Sequence, residues 1–157
     1  MAMLQRVIRE TEVDVVLSYA HSTLLDQCLA DRLLPLAADR GVGVINASAV
    51  SLGLLTPGAS KITGVQHPAD HQVLNAALRV KEICVDAGVD ISFLANQFSI
   101  QRSGSATTLI GTVNPKNLDS AVAAVNAPID EALLARVLDA TSSIRGHDWI
   151  NGLPKNN

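Results

Sequence analysis

The sequence contains few aromatic residues: one tryptophan, one tyrosine and two phenylalanines, or 3% of its 157 residues. Its core must therefore be built from Ala, Val, Leu and Ile, which suits the close-packed layers of an α/β protein. Hydrophobic residues make up 48% of the chain, which is ample for a core at the length of one domain. We expect a single domain over residues 1–157.

Cysteine and positive charge are also scarce. Cys28 and Cys84 lack Cys-x-x-Cys spacing and each lies in a helical pattern, so we expect buried or half-buried thiols rather than a disulfide or a metal site. Lys and Arg number 12 against 15 Asp and Glu, giving a net charge of −3 and a pI near 5.7. This balance argues against nucleic-acid and anionic-membrane partners, which require basic patches.

Long apolar runs are absent. No run approaches the roughly 20 residues that a membrane-spanning helix needs. The first residues, MAMLQR, have no long apolar stretch after their one basic residue, so they do not read as a signal peptide. The sequence therefore predicts a cytoplasmic protein without a membrane partner.

The common catalytic and phosphate-binding motifs are missing as well. No G-x-G-x-x-G follows a predicted strand, and no P-loop, nucleophile elbow or His-Glu-x-x-His occurs. His67 and His71 are four residues apart but lack a third ligand nearby, so a solvated helix terminus is favoured and no metal is expected. His21 is a lone histidine, for which a hydrogen bond in a loop or core is favoured over a role as a base.

The most informative stretch that is present covers residues 41–55, GVGVINASAVSLGLL. Residues 42–47 are apolar on both faces, which predicts a parallel strand covered by helices. The small residues that follow predict a loop whose backbone can approach a ligand closely. Loops at the carboxyl ends of strands carry the sites of α/β barrels, so this is the first candidate ligand loop.

Two further strands are predicted at residues 13–19 and 107–111. Helical patterns cover about residues 4–9, 24–40, 68–88, 91–101 and 130–144, and another helix begins at Asn114-Pro115. Pro35 should kink the second helix or begin a new one, and Gly41 should end it. Residues 56–66 predict a loop, and residues 145–157 an irregular tail. Alternating strands and helices predict parallel strands in one layered α/β domain.

The segment after the third predicted strand, GTVNP at residues 111–115, has two readings. A glycine turn and a hydroxyl directly before a helix N-terminus favour an anion such as a phosphate. A helix capped by Asn114 with nothing bound fits the same residues equally well.

Three motifs together resemble a known family: VDVVLSYAH at residues 13–21, GVGVINAS at 41–48 with GLL at 53–55, and LIGTVNP at 109–115. They are similar to the C-terminal part of an aldo/keto reductase, and most like its sugar-oxidising branch, the L-galactose and L-fucose dehydrogenases. The resemblance covers residues 13–125. It implies a partial (β/α) TIM-type barrel, namely the last three of eight strand–helix units plus a C-terminal helix.

The resemblance also implies part of a site for NAD(P) bound without a Rossmann motif. Ser18 would lie near the nicotinamide, and Ala47 would replace an aromatic residue that stacks on it in many relatives. The loop from Ser48 through Leu54 would cover the pyrophosphate. The implied cofactor-binding residues are Ser18, Ala47, Ser48, Leu52, Leu54, Gly111, Thr112, Val113 and Asn117.

Two substitutions on the implied adenosine side affect the choice of cofactor. Asn117 stands where NADP-preferring relatives place an arginine, and Ser120 and Ala121 replace a Glu-Asn pair that holds the adenine. A neutral Asn117 cannot form a charge-assisted bond with a 2′-phosphate, so NAD is expected over NADP.

The resemblance implies no catalytic residues in this chain, because the catalytic Asp, Tyr, Lys and His of the family come from strands two to four. We therefore expect an inactive C-terminal portion of an NAD(P)-dependent oxidoreductase. The alternative is a non-catalytic nucleotide-binding or interaction module whose open sheet edges pair in an oligomer or with a chain that supplies the missing strands. Either way, inward side chains such as Val15, Leu17, Val44 and Leu109 should form an exposed apolar flank.

Overall fold

The computed structural model describes residues 1–59 and 69–147. These residues contain three strands and six α-helices, joined in places by short helical turns. In chain order the elements are α1 (Ala2–Glu10), β1 (Val15–Tyr19), a π-helical turn (Leu29–Leu33), α2 (Leu34–Asp39), β2 (Gly43–Ala47), a 3₁₀ turn (Ser51–Gly53), α3 (His71–Asp86), α4 (Ile91–Gln101), β3 (Thr107–Leu109), α5 (Pro115–Ala124), α6 (Glu131–Ala140) and a 3₁₀ turn (Ser142–Ile144).

The strands form one open parallel sheet in the order β1-β2-β3. Tyr19 at the end of β1 pairs with Ala47 at the end of β2, and Ala47 pairs with Leu109 at the end of β3. All three carboxyl ends therefore meet at one edge, where the functional loops of such sheets lie. The predicted parallel strands are confirmed, although each is shorter than its apolar run.

One face of the sheet is covered by helices and the other is open. Val15, Leu17 and Leu109 point to the open face and are 53%, 45% and 50% exposed, which confirms the predicted apolar flank at these positions. The prediction was wrong for Val44, which is only 5% exposed. Val44 pairs with Val16 in register, so both point to the helices.

Two buried apolar clusters hold the layers together. The smaller packs α1 and the turn before α2 against β1 and β2, through residues such as Ile8, Leu29 and Val16. The larger includes Leu54 and Leu55 from the loop after β2, together with the buried faces of α3, α4 and α6. The loop after β2 is thus anchored in the core immediately beyond the sheet edge.

Helix starts follow the predicted polar caps. The Asp90 side chain accepts from the Phe93 amide at the start of α4, and Asn114 accepts from Lys116 at the start of α5, with Pro115 in the first position. Both predicted caps are confirmed. The predicted start of the third long helix near Pro68, the histidine His67, most of the predicted loop (60–66) and most of the predicted tail (148–157) lie outside the described residues.

The helix predicted over residues 24–40 begins later than expected. The Thr23 hydroxyl accepts from the amides of Leu25 and Asp26, and the Asp26 carboxylate accepts from the Cys28 amide. These local bonds compete with helical ones, so helical structure starts only at Leu29. Pro35 lies in the first turn of α2, which confirms that it begins a second helix.

Cys28 and Cys84 are both buried, as predicted. Burial, together with the nearby Asp90 carboxylate, raises the pKa of the Cys84 thiol to about 11, so it is protonated at neutral pH.

Among residues 1–59 and 69–147, no helix has both the length and the apolar character needed to cross a membrane.

A buried polar network joins the sheet to α4. The Asn46 amide on β2 donates to the Ser99 hydroxyl at 2.8 Å, and that hydroxyl donates to the Ser22 carbonyl at 2.8 Å. The Thr108 hydroxyl on β3 donates to the Ser99 carbonyl at 3.1 Å. One serine of α4 therefore contacts β2, β3 and the segment after β1, and this fixes the position of α4 over the sheet.

Replacing Ser99 with alanine should lower the free energy of unfolding by about 1–3 kcal/mol, because it leaves buried polar groups of Asn46 and Ser22 without their hydroxyl partner. Urea unfolding followed by circular dichroism measures this change. Ser143→Ala at an exposed position is the matched control and should stay within about 0.5 kcal/mol of wild type. Equal stabilities for the two variants would contradict a structural role for the network.

Candidate functional site

A cleft of about 760 Å³ opens at the carboxyl edge of the sheet. Its walls are the loop after β2, the end of β3 with the segment leading to α5, and inward-facing residues of α4 and α5. This is the edge at which parallel α/β sheets bind ligands, and the volume lies within the range of small-molecule sites.

Six of the nine residues implied as cofactor-binding line this cleft, and three do not. The six are Ala47, Ser48, Leu52, Gly111, Thr112 and Asn117. Ser18 is fully buried on the helix-covered face of β1, since side chains alternate along a strand. Leu54 is 1% exposed in the core, and Val113 is fully exposed away from the cleft. The cofactor roles of all nine stay predictions.

The loop after β2 has an unusual backbone. Ser48, Ser51 and Leu52 have φ angles of 65°, 48° and 52°, in the left-handed region that non-glycine residues seldom adopt. Each such residue costs on the order of 1–3 kcal/mol, and such strain clusters at ligand-binding sites. The Ser48 hydroxyl accepts from the Leu52 amide, which helps to hold the loop in this shape over the cleft.

The N-terminus of α5 is capped by Asn114, the residue directly before the helix. The amides of Lys116 and Asn117 both donate to Asn114, one to its side-chain oxygen at 3.1 Å and one to its carbonyl at 3.0 Å. Of the two readings of this segment, the geometry fits the capped helix, because these amides are not directed at the cleft. The Thr112 hydroxyl accepts from the Asn114 amide at 3.1 Å and fixes the turn.

Small residues keep the cleft open beside the strand ends. A Cβ built on Gly111 would meet no atom within 4 Å, so the backbone at this position borders open space. Ala47 likewise leaves the end of β2 without a large side chain. Tyr19 lines the cleft from the paired position on β1 and is 47% exposed. An aromatic ring therefore stands next to Ala47, supplied by the neighbouring strand.

The lining of the cleft is almost uncharged. Asp90 is the only ionisable acid among the described lining residues, and they include no lysine or arginine. The described part of the lining would therefore offer a phosphate monoester no cationic side chain for a charge-assisted bond.

Sequence reasoning missed two lining residues that stand out in the structure. Tyr19 could have been found from its place at the last position of β1, because parallel register brings the last residues of the strands together. Asn96 lies in the middle of α4, within a run of six buried residues from Leu94 to Ser99. It is 6% exposed, and its Oδ1 has no hydrogen-bond partner.

His21 follows β1 and is held by Asp26. Its Nδ1 lies 2.8 Å from Asp26 Oδ2, and both side chains are almost buried. Burial opposes ionisation of Asp26, but hydrogen bonds from His21 and from the Cys28 amide outweigh it and hold the pKa of this carboxyl below its usual value. His21 is thus a loop hydrogen-bonder, the reading favoured from the sequence.

The described residues offer no group of side chains that could bind a metal ion. Within residues 1–59 and 69–147, no group of three or more His, Cys, Asp or Glu side chains could hold a metal ion. His71 is exposed at the first position of α3.

Comparison with known proteins decides the family. The sequence model of the aldo/keto reductase family matches residues 1–141. The chain belongs to the aldo/keto reductase family. L-galactose dehydrogenase of Arabidopsis thaliana is 32% identical over 148 residues, which cover 92% of this chain and 45% of that protein. D-threo-aldose 1-dehydrogenase of a Pseudomonas species is 26% identical over 139 residues, covering 87% of this chain and 42% of that protein.

The fold agrees with this assignment. An aldo-keto reductase of Bacillus halodurans superposes with a TM-score of 0.61 at 16% identity, covering 88% of this chain and 47% of that one. The expected partial (β/α) barrel is thereby confirmed. The chain spans less than half the length of the relatives it matches. Enzymes of this family use a nicotinamide nucleotide, which agrees with a cleft at the carboxyl edge of the strands.

Replacing Asp26 with asparagine should lower the free energy of unfolding at pH 7 by about 1.5–3 kcal/mol, because the buried carboxylate accepts two hydrogen bonds. Since its pKa is lowered in the folded protein, the carboxylate stabilises the fold fully above the usual aspartate pKa of about 4. This contribution is lost as the pH falls below 4 toward the depressed value.

The measurement is urea unfolding of both proteins between pH 2.5 and pH 7. The difference between wild type and Asp26→Asn should shrink below pH 4, whereas Asp39→Asn, at an exposed position on α2, should follow wild type throughout. A difference that stayed constant down to the lowest pH would show that the charge of Asp26 does not stabilise the fold.

Proposed function

We propose that this chain is the C-terminal portion of an NAD(P)-dependent oxidoreductase of the sugar dehydrogenase type, and that its cleft binds part of the dinucleotide. The observation that carries the proposal is the cleft itself. Six residues implied by the family resemblance, from the end of β2 with its following loop and from the segment after β3 with the start of α5, meet in one cavity at the carboxyl edge of a parallel sheet.

The residues of the cleft fit the parts of a dinucleotide in order. Ala47 and Tyr19, paired at the strand ends, suit the flat nicotinamide ring. The strained loop at Ser48 and Leu52 suits the pyrophosphate, and the open space at Gly111 suits the adenosine. The bound nicotinamide would supply hydride transfer, and the role of these residues would be to hold and orient it.

The substrate is proposed from the relatives. Two similar proteins are named for oxidising L-galactose and D-threo-aldoses, so an aldose is the substrate class we propose for the whole reductase. Catalysis requires an acid and its tuning residues, which the resemblance assigns to strands that this chain does not supply. We therefore expect the chain by itself to bind nucleotide without turning over sugar.

The cofactor preference follows from charge. Asn117 lines the cleft and its amide donates to the Thr112 hydroxyl at 3.4 Å, and the family resemblance implies an arginine at this position in NADP-preferring relatives. Transferring a phosphate dianion into this uncharged setting is costly without a charged partner. NAD is therefore the proposed cofactor.

Titration calorimetry with NADH and NADPH tests both the binding of a dinucleotide in the cleft and the preference for NAD over NADP. NADH should bind the wild-type chain more tightly than NADPH does. Asn117→Arg should strengthen NADPH binding about tenfold, the effect of one added charge-assisted hydrogen bond, and change NADH binding little.

Asn75→Arg is the matched control, because it adds the same charge at an exposed position of α3 outside the cleft. It should leave both affinities unchanged at physiological ionic strength. Absence of binding for both nucleotides would overturn the proposed function, and equal gains from the two arginine variants would overturn the placement of Asn117.

A second candidate function is a non-catalytic module that docks with a chain carrying the remaining strand–helix units. The observation in its favour is the open sheet face, where Val15, Leu17, Tyr19 and Leu109 are 45–53% exposed. In a closed barrel these inward side chains would be covered by the opposite strands. The proposed occupant is specific, since the relatives are more than twice as long as the part this chain matches.

Sedimentation velocity with the unmatched portion of Arabidopsis L-galactose dehydrogenase tests this candidate. A one-to-one complex should form with wild type and fail to form with Leu17→Glu, because a charge would be buried in the barrel interior. Leu78→Glu on α3 is the control, since Leu78 is 41% exposed on a different surface. No complex with wild type, or equal loss with both variants, would exclude docking through this face.

A further inference from the structure

Asn96 is an exception within its helix. The neighbouring Gln97 is also buried, but its amide donates to the carbonyls of Ala127 and Pro128 at 3.1 Å. Asn96 is 6% exposed, lines the cleft, and has an Oδ1 that no described group contacts by a hydrogen bond. A buried oxygen without a partner destabilises a fold, so its presence at a cleft wall indicates a ligand group that completes it.

The surroundings of Asn96 define what that ligand group is. Ser92 lies one turn earlier on α4, and Asn117 and Ser120 lie one turn apart on α5; all three line the same cleft. This part of the cleft is therefore lined by short uncharged polar side chains, with the Asp90 carboxylate at the start of α4 as an acidic neighbour. The strand ends, where Tyr19 pairs with Ala47, contribute other residues to the same cleft.

Adenine matches such a wall. Its N6 amino group donates and its N7 accepts, side by side on one edge, and the carboxamide of asparagine pairs with both at once. The pair forms when the amide oxygen accepts from N6 and the amide nitrogen donates to N7, so it uses both polar atoms of the side chain.

We propose that Asn96 recognises the adenine of the bound dinucleotide through the exocyclic amino group. This inference rests on the proposed function, because it assumes a nicotinamide adenine dinucleotide in the cleft. It adds a specificity residue on α4, a helix to which the family resemblance assigned no contact with the cofactor. It also gives the chain a way to hold adenine although Ser120 and Ala121 replace the Glu-Asn pair of relatives.

The test compares NADH with its hypoxanthine analogue, in which a carbonyl oxygen replaces the amino group of adenine. Wild type should bind NADH about tenfold more tightly than the analogue, because the oxygen of Asn96 would face another acceptor. Asn96→Leu should bind NADH about tenfold more weakly than wild type does and bind the analogue with little change, so the preference for adenine disappears.

Stability without nucleotide separates recognition from folding. Asn96→Leu removes the unpartnered oxygen. Its midpoint of thermal unfolding should therefore be at least that of wild type, and up to about 2–4 °C higher. If leucine does not fit the wall and the midpoint falls, the smaller Asn96→Ala variant must show the same loss of adenine preference. Asn75→Leu, an exposed exchange of the same two residue types on α3, should keep the wild-type preference.

The outcomes distinguish this inference from the proposed function. Equal binding of both dinucleotides by wild type, or an adenine preference that survives in the Asn96 variants, overturns the role of Asn96 and leaves the cofactor cleft in place. If wild type binds neither dinucleotide, the proposed function is wrong and the inference is wrong with it.

Discussion

The arrangement of the candidate site depends on one buried contact, the hydrogen bond from the Asn46 amide on β2 to the Ser99 hydroxyl on α4. Ser99 also contacts Thr108 on β3 and the carbonyl of Ser22, so a single serine joins α4 to all three strand–loop segments. Because the low dielectric of the interior strengthens such bonds and penalises their loss, α4 has one favoured position over the sheet. The α4 wall of the cleft, including Asn96, is set by that position.

The two faces of the sheet differ in how much apolar surface they expose. The helix-covered face is a packed core that includes this polar network, and it accounts for the stability of the described residues. The open face bears Val15, Leu17 and Leu109, about half exposed, which is more apolar surface than a solvated sheet face usually carries. In a (β/α) barrel that face is the interior, filled by side chains from opposite strands. A chain that spans less than half of its relatives has only one side of that interior.

The sequence predicted the secondary-structure elements better than it predicted the face of the sheet or helix on which each side chain lies. The three strands, their parallel order and the caps at Asp90 and Asn114 follow from local signals that act within a few residues. The face on which a side chain lies depends on register, and a buried run without alternation does not reveal it; hence Val44 was assigned to the wrong face. The late start of helical structure at Leu29 depends on competing side-chain bonds. The burial of Asn96 at a cleft wall depends on tertiary packing around α4, which no local pattern contains.

The chemistry of the cleft limits how it can hold a dinucleotide. Its lining offers no described cation, and the amides of Lys116 and Asn117 at the start of α5 are already bonded to Asn114. Among the described lining residues, a bound pyrophosphate would therefore find no cationic side chain for a charge-assisted bond. In the proposed complex, the described lining would offer contact of the flat rings with Tyr19 and the loop at Leu52, and hydrogen bonds to neutral side chains such as Asn96. In such a site a correctly matched base edge contributes a large share of the specificity, because few other polar groups are available to select the ligand.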